Sequence, residues 1–235
     1  MKSIDRRLVW DLPLRLFHWL FAASIIACWG TAKLGFSYMQ WHMWLGYWVM
    51  GLLLFRLIWG FVGTRHARFT GFLKGPSAVF VYGRSLIGKS TSIHSVGHNP
   101  LGGLMVLLML ALVGLQAYTG LFSSDDIAWS GPYNGVVSGA MAQRLTGLHH
   151  LNFNFIWAAM GLHVAAILYY TFVKRERLVP AMVTGWKADD LVSADQAIDN
   201  SALWRAAIAI AVSAGAVYWI LTAAPAATAA SNSFM

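Results

Sequence analysis

Two histidines in one apolar stretch, LHHLNFNFIWAAMGLHVAAILYY, are fourteen residues apart: His149 and His163. On an α-helix that spacing is close to four turns. It puts both imidazoles on nearly one face, about 40° apart, with a rise of about 21 Å between them. The stretch is long enough to cross a bilayer, so one helix offers a nitrogen ligand near each membrane face. His18 and His42 lie in other apolar segments and complete two possible pairs. Two axial imidazoles per iron leave no open position for oxygen, which suits electron transfer through two stacked haems.

The elements that must position these side chains are membrane spans. The chain has 235 residues, of which 58% are hydrophobic and 11% charged, and its mean hydropathy is +0.57. A soluble domain carries about a quarter charged residues. The predicted fold is therefore all-α, a polytopic membrane helical bundle. The net charge of +8 does not point to nucleic acid, because no basic cluster lies in a soluble setting. A single cysteine, Cys28, excludes an internal disulfide, and without Cys-x-x-Cys neither an iron–sulfur cluster nor covalent c-type haem attachment is supported. The first apolar segment is expected to be a retained helix, since Asp5 and Asp11 interrupt its lead-in and no clear cleavage site follows.

Five spans are predicted, at about 14–34, 42–62, 101–122, 149–172 and 203–222. A basic loop (63–99), a weakly charged loop (123–148) and a charged linker (174–200) separate the later ones. With alternating sides, one face collects Lys2, Arg6, Arg7, Arg15, Arg65, Arg68, Lys74, Arg84, Lys89, Lys174, Arg175, Arg177 and Lys187; the other holds Lys33 and Arg144. The basic side is expected to be cytoplasmic. The N-terminus then lies inside; the 123–148 loop and the tail APAATAASNSFM lie outside, in the periplasm of a bacterial inner membrane. The run FLKGPSAVFVYGRSLIG reads as either a short amphipathic helix on the inner surface, with Lys74, Arg84 and Lys89 near lipid phosphates, or a solvated loop. The 174–200 linker is expected to act as a spacer.

This topology pairs His42 with His149 near the outer face and His18 with His163 towards the inner one. A lone membrane histidine can also simply hydrogen-bond a neighbouring helix, and His42 sits among the interfacial Trp41, Trp44 and Trp48. Helix geometry hardly separates His149 from its neighbour His150. Arg15 lies one turn before His18 on the same face and is a candidate for a haem propionate. Arg56, inside the second span, either snorkels to the interface or pairs with a propionate or a quinone oxygen. His66 reads as a loop residue. His94 and His98 flank the third span, and His98 is a possible neighbour of a quinone or propionate. The third span has no histidine and reads as packing scaffold. The glycines on the spans, Gly46 among them, read first as close-packing positions.

Four segments then carry a resemblance: VWDLPLRLFHWLF, WHMWLGYWVMGLLLFRLIWGFVG, GHNPLGGLMVLLMLALVGLQAYTG and LHHLNFNFIWAAMGLHVAAILYY, followed by KRERLVPAMVTGWK. Over about residues 8–187 the chain resembles the prokaryotic di-haem cytochrome b family that includes the membrane subunit of nickel–iron hydrogenases. The resemblance implies a four-helix core (1–187) binding two b-type haems, with a linker, a fifth transmembrane helix and a tail (188–235) beyond it. It places the family's ligands at His18, His42, His149 and His163, favouring His149 over His150. It implies electron transfer between the quinone pool and a periplasmic partner: a hydrogenase, another oxidoreductase or a c-type cytochrome. The 123–148 loop, with Asp125 and Asp126, would be the docking surface. A self-contained superoxide oxidase delivering electrons to quinone is the alternative, with thin electrostatic support from Lys33 and Arg144 alone. Four histidines at compatible depths argue against a haem-free transporter.

Overall fold

The computed structural model describes residues 6–87 and 95–225. Lys2, Lys89, His94 and most of the Ala-rich tail therefore lie outside the described residues. The chain runs β1 (Arg6–Leu8), α1 (Leu12–Lys33), α2 (Met39–Val62), α3 (Phe69–Phe72), α4 (Pro76–Ile87), α5 (Pro100–Gly120), α6 (Gly139–Phe172), α7 (Leu178–Thr184), β2 (Trp186–Ala188) and α8 (Leu203–Thr222). Five of these helices, α1, α2, α5, α6 and α8, are long and apolar enough to span a membrane.

Local chemistry sets the helix ends. Asp11 caps α1 by accepting the Leu14 N–H at 2.7 Å, with Pro13 in the first turn. Asn99 caps α5 in the same way at Gly102 (2.7 Å), followed by Pro100. Gly35, at φ +88°, makes the turn between α1 and α2, a conformation that disfavours any side chain. The fourth long helix departs from expectation: α6 has 34 residues and begins ten residues before the apolar stretch, after Ser138. At about 1.5 Å per residue it is about 51 Å long, well beyond a hydrocarbon core of about 30 Å. The sequence GAMAQRLTGL is helix-compatible but not apolar, so a hydropathy reading stops short of it. The connection before it shrinks to residues 121–138.

Helices α1 and α2 form one close-packed hairpin and α5 and α6 another, with α2 bridging to α5 and to α8. Trp48 donates to Ser24 Oγ at 3.0 Å inside the first hairpin. Helix α8 presents a small-residue face, with Ala206, Ala209 and Ser213 buried, so its backbone approaches α2 closely. It is tied at both ends: the Leu12 N–H donates to Ser201 Oγ (3.0 Å), and the Tyr133 hydroxyl to the Ile220 carbonyl (2.6 Å). By contrast α1 and α6, which carry facing histidines, hardly pack against each other.

The expected spacer is a structured layer instead. β2 pairs antiparallel with β1, in the register Arg6 to Ala188, Arg7 to Lys187 and Leu8 to Trp186. The Ile198 N–H donates to the Leu8 carbonyl (2.9 Å), Arg7 donates to the Val192 carbonyl, and Lys187 Nζ donates to the Val96 carbonyl (2.9 Å). His66, read as a loop residue, donates through Nε2 to the Gln196 carbonyl at 2.8 Å. The mixed charge of the linker hid these contacts, most of which use backbone carbonyls that no side-chain pattern advertises. The amphipathic-helix option for the basic loop is realised as α4, anchored by the Tyr82 hydroxyl at 2.8 Å from that of Tyr170. These contacts gather the start of α1, the end of α2, the start of α5 and the end of α6 at one end of the bundle, the basic end.

Candidate functional site

The structure brings the predicted histidines together in the predicted pairs. At the basic end His18 on α1 faces His163 on α6, with ring centres 6.3 Å apart. At the far end His42 on α2 faces His149 on α6, again at 6.3 Å. Two metal–nitrogen bonds of about 2 Å, plus about 1.1 Å from each nitrogen to its ring centre, sum to about 6.2 Å. Each pair is thus spaced for one ion shared by two opposed imidazoles. Among the described residues no three His, Cys, Asp or Glu come together as a metal cage. An ion held by two opposed imidazoles needs its remaining ligands from something else, such as a macrocycle.

The far-end pair is held by backbone carbonyls. His42 Nδ1 lies 2.8 Å from the Cys28 carbonyl, and His149 Nδ1 lies 3.0 Å from the Gln116 carbonyl. A carbonyl only accepts, so both rings carry their proton on Nδ1 and leave Nε2 free to ligate. The Thr119 hydroxyl sits 3.1 Å from the same His149 nitrogen. Gly120 leaves room for the ring, since a Cβ there would be 3.1 Å from His149 Cε1. His150 lines the same cavity, but the ring that faces His42 and bonds to α5 is that of His149. The cavity between the helices holds about 690 Å³ and is lined by both histidines, Gly46, Tyr47, Trp157 and Lys33.

Helix α5, read as scaffold because it lacks histidine, therefore supplies the groups that orient His149. Asn152, 2% exposed, reinforces them by donating to Gln116 Oε1 (2.8 Å) and the Leu112 carbonyl (2.9 Å). The available signal was Gln116 and Thr119 themselves, two polar residues one turn apart in an apolar span.

The basic-end pair has a different surrounding. His18 Nδ1 is buried with no partner. So are Arg15 Nε, His98 Nδ1 and both terminal nitrogens of Arg56. Arg15 uses another nitrogen to donate to the Val183 carbonyl. Arg56 is 2% exposed and lies over Phe69 (4.8 Å) and Phe72 (5.9 Å), so it does not snorkel to lipid. Its hydrophobic lid and the nearby Asp11 keep it inside. His98 packs edge-on against Trp10 (4.8 Å) and against Phe72 (4.7 Å). Burial, with Arg56 close by, pushes its pKa down to about 3. Burial also lowers His66 and raises Asp11. Buried nitrogens without partners are costly, and three of these are guanidinium donors that can only donate. Such a cluster fits a bound anion.

Comparison with known proteins agrees with this chemistry. A family profile described as prokaryotic cytochrome b561 matches residues 9–185. A protein named probable Ni/Fe-hydrogenase B-type cytochrome subunit from Cupriavidus necator is 24% identical over 223 residues, covering 79% of this chain and 88% of that one. One of the same name from Azotobacter vinelandii is 25% identical over 216 residues, covering 76% and 87%. No solved structure matches. With three-quarters of its length matched by the family profile, the chain belongs to the prokaryotic cytochrome b561 family of membrane b-type cytochromes.

Proposed function

We propose that this protein is the membrane electron-transfer subunit of a respiratory oxidoreductase and carries two b-type haems. His42 and His149 hold the outer haem; His18 and His163 hold the inner one. The observation that carries the reading is the equal 6.3 Å spacing of two independent pairs at opposite ends of one helix. Bound haem supplies a reversible one-electron iron couple. The chain supplies opposed nitrogens, fixes the far-end tautomers through Cys28 and Gln116, and leaves the basic-end ligands His18 and His163 half-buried. Arg15 and Arg56 offer unpartnered guanidinium nitrogens to the propionates of the inner haem. Their charge also favours the reduced state there.

The basic end is assigned to the cytoplasm by the positive-inside rule. Haem held by His42 and His149 would be the one nearer a periplasmic partner, and haem held by His18 and His163 the one nearer the cytoplasmic face, so the pair would supply one-electron carriers between that partner and quinone. The relatives' names support a nickel–iron hydrogenase as that partner, rather than stand-alone superoxide oxidation. A pyridine haemochrome assay on purified protein should give two b-type haems per chain. His163→Ala should remove one and leave the other, and His149→Ala should do the converse. A chain without haem, or both variants losing the same haem, would overturn the reading.

A further inference from the structure

The loop between α5 and α6 is built around one carboxylate. Asp125 Oδ1 accepts the backbone N–H groups of Ile127 (3.0 Å), Ala128 (3.0 Å) and Trp129 (2.8 Å). The Asp125 N–H returns to the Trp129 carbonyl (3.0 Å), and Ser124 bridges to Ser130. Gly131 closes the turn against the end of α5: its N–H donates to the Ser123 carbonyl (2.8 Å), and a Cβ there would lie 2.3 Å from the Leu121 carbonyl oxygen. Asn134 Nδ2 donates to the Phe122 carbonyl (2.7 Å). The segment is a fixed frame, not a loose connection.

What the frame holds is Trp129. Its ring meets Phe36 at 6.0 Å and lines the cavity that contains His42 and His149. Its indole Nε1 is buried and has no hydrogen-bond partner. A buried indole N–H normally finds an acceptor. Lys33, in the last turn of α1, lines the same cavity. Asp125 is the one carboxylate among the lining residues, and the Oδ1 contacts above turn it to its own loop. The cavity thus has the facing His42 and His149 rings and their neighbour His150 in its lining and, from the loop and the end of α1, an orphan donor and a cation.

We propose that Trp129 Nε1–H, together with Lys33, receives a propionate carboxylate of the far-end haem and so fixes that haem's orientation and raises its potential. The proposal rests on the assignment of His42 and His149 as haem ligands. A donor and a cation aimed at the propionate stabilise the extra negative charge of the reduced state, and removing either lowers the potential.

Trp129→Phe keeps the ring and deletes the donor. The expected result is two haems per chain, an unchanged inner-haem potential, a lowered outer-haem potential and a shifted propionate band in the resonance Raman spectrum. Lys33→Gln, at an exposed helix end, is expected to lower the same potential without disturbing the fold, and serves if the Trp129 variant fails to assemble. Two haems with an unshifted outer potential and an unshifted propionate band in both variants would overturn the proposal. A haem count that does not fall in His42→Ala or His149→Ala would instead overturn the ligand assignment beneath it, so the two failures are distinguishable.

Discussion

The Trp59 indole N–H donates to Oδ1 of Asp11 at 3.1 Å, joining residues 48 positions apart with neither side chain exposed to solvent. The same oxygen accepts the Leu14 N–H, and the other carboxylate oxygen accepts the Thr64 hydroxyl. One carboxylate therefore starts α1, holds the end of α2, and faces the otherwise uncompensated charge of Arg56. Asp11→Ala leaves three donors unpaired and removes a carboxylate whose charge acts on Arg56, an expected loss of about 3 kcal/mol. Asp11→Asn keeps one acceptor oxygen and should lose less. Thermal unfolding of the detergent-purified protein would measure both; equal, small losses would show that the carboxylate is not the organising group.

His149 should respond to its surroundings without being mutated. Gly120→Ala places a Cβ 3.1 Å from His149 Cε1, tighter than an ordinary contact, and the imidazole must tilt. Thr119→Val removes the hydroxyl 3.1 Å from Nδ1 while keeping shape. Disturbing such an outer partner of a metal ligand typically costs about 10–100-fold in affinity. If His149 holds a haem as proposed, each variant is expected to alter the occupancy or spectrum of that haem alone. His150→Ala should leave the haem content unchanged, as pyridine haemochrome and difference spectra would record.

The four histidines and their pairing were legible because three constraints acted together. Helix periodicity left His149 or His150 near the face of His163, the family resemblance favoured His149, and the alternation of spans brought His18 to the level of His163 and His42 to that of His149. What was not legible depends on unpatterned atoms. Cys28 and Gln116 act through carbonyl oxygens, and residues 186–200 pack through backbone groups that composition does not reveal. Asp11 was visible only as an acidic interruption before a span. Its placement between Trp59 and Thr64 needs the fold, as does the burial of Arg56 beneath Phe69 and Phe72.

Acid should destabilise the protein through His98. Its folded-state pKa is pushed down to about 3 by burial. Below the ordinary histidine value, about 6.5, the unfolded chain binds a proton that the folded chain refuses. Stability is thus intact above about 6.5 and lost as pH falls towards 3, at up to about 1.4 kcal/mol per pH unit for one proton. His66, lowered by burial too, acts in the same sense. Asp11, raised by burial, acts in the opposite sense but only nearer the carboxylate range. Melting temperature should therefore fall between pH 7.5 and 5, and His98→Gln should flatten that slope. An unchanged slope would place the acid sensitivity elsewhere.

Gly60 offers a test of how the Arg56 pocket is maintained. In a helix interior, Gly→Ala is ordinarily stabilising by about 1 kcal/mol. Here a Cβ would sit 2.0 Å from Phe69 Cε2 and 2.4 Å from Cδ2, so the ring must leave its place. That ring covers the Arg56 guanidinium at 4.8 Å. Gly60→Ala is expected to reverse sign and destabilise by about 1–3 kcal/mol, the usual cost of overpacking. Phe69→Leu alone should also destabilise, by removing ring contacts. Because both changes act on one side chain, the double variant should lose less than the two single losses added. Additive losses would show that Gly60 is retained for some reason other than the ring that shields Arg56.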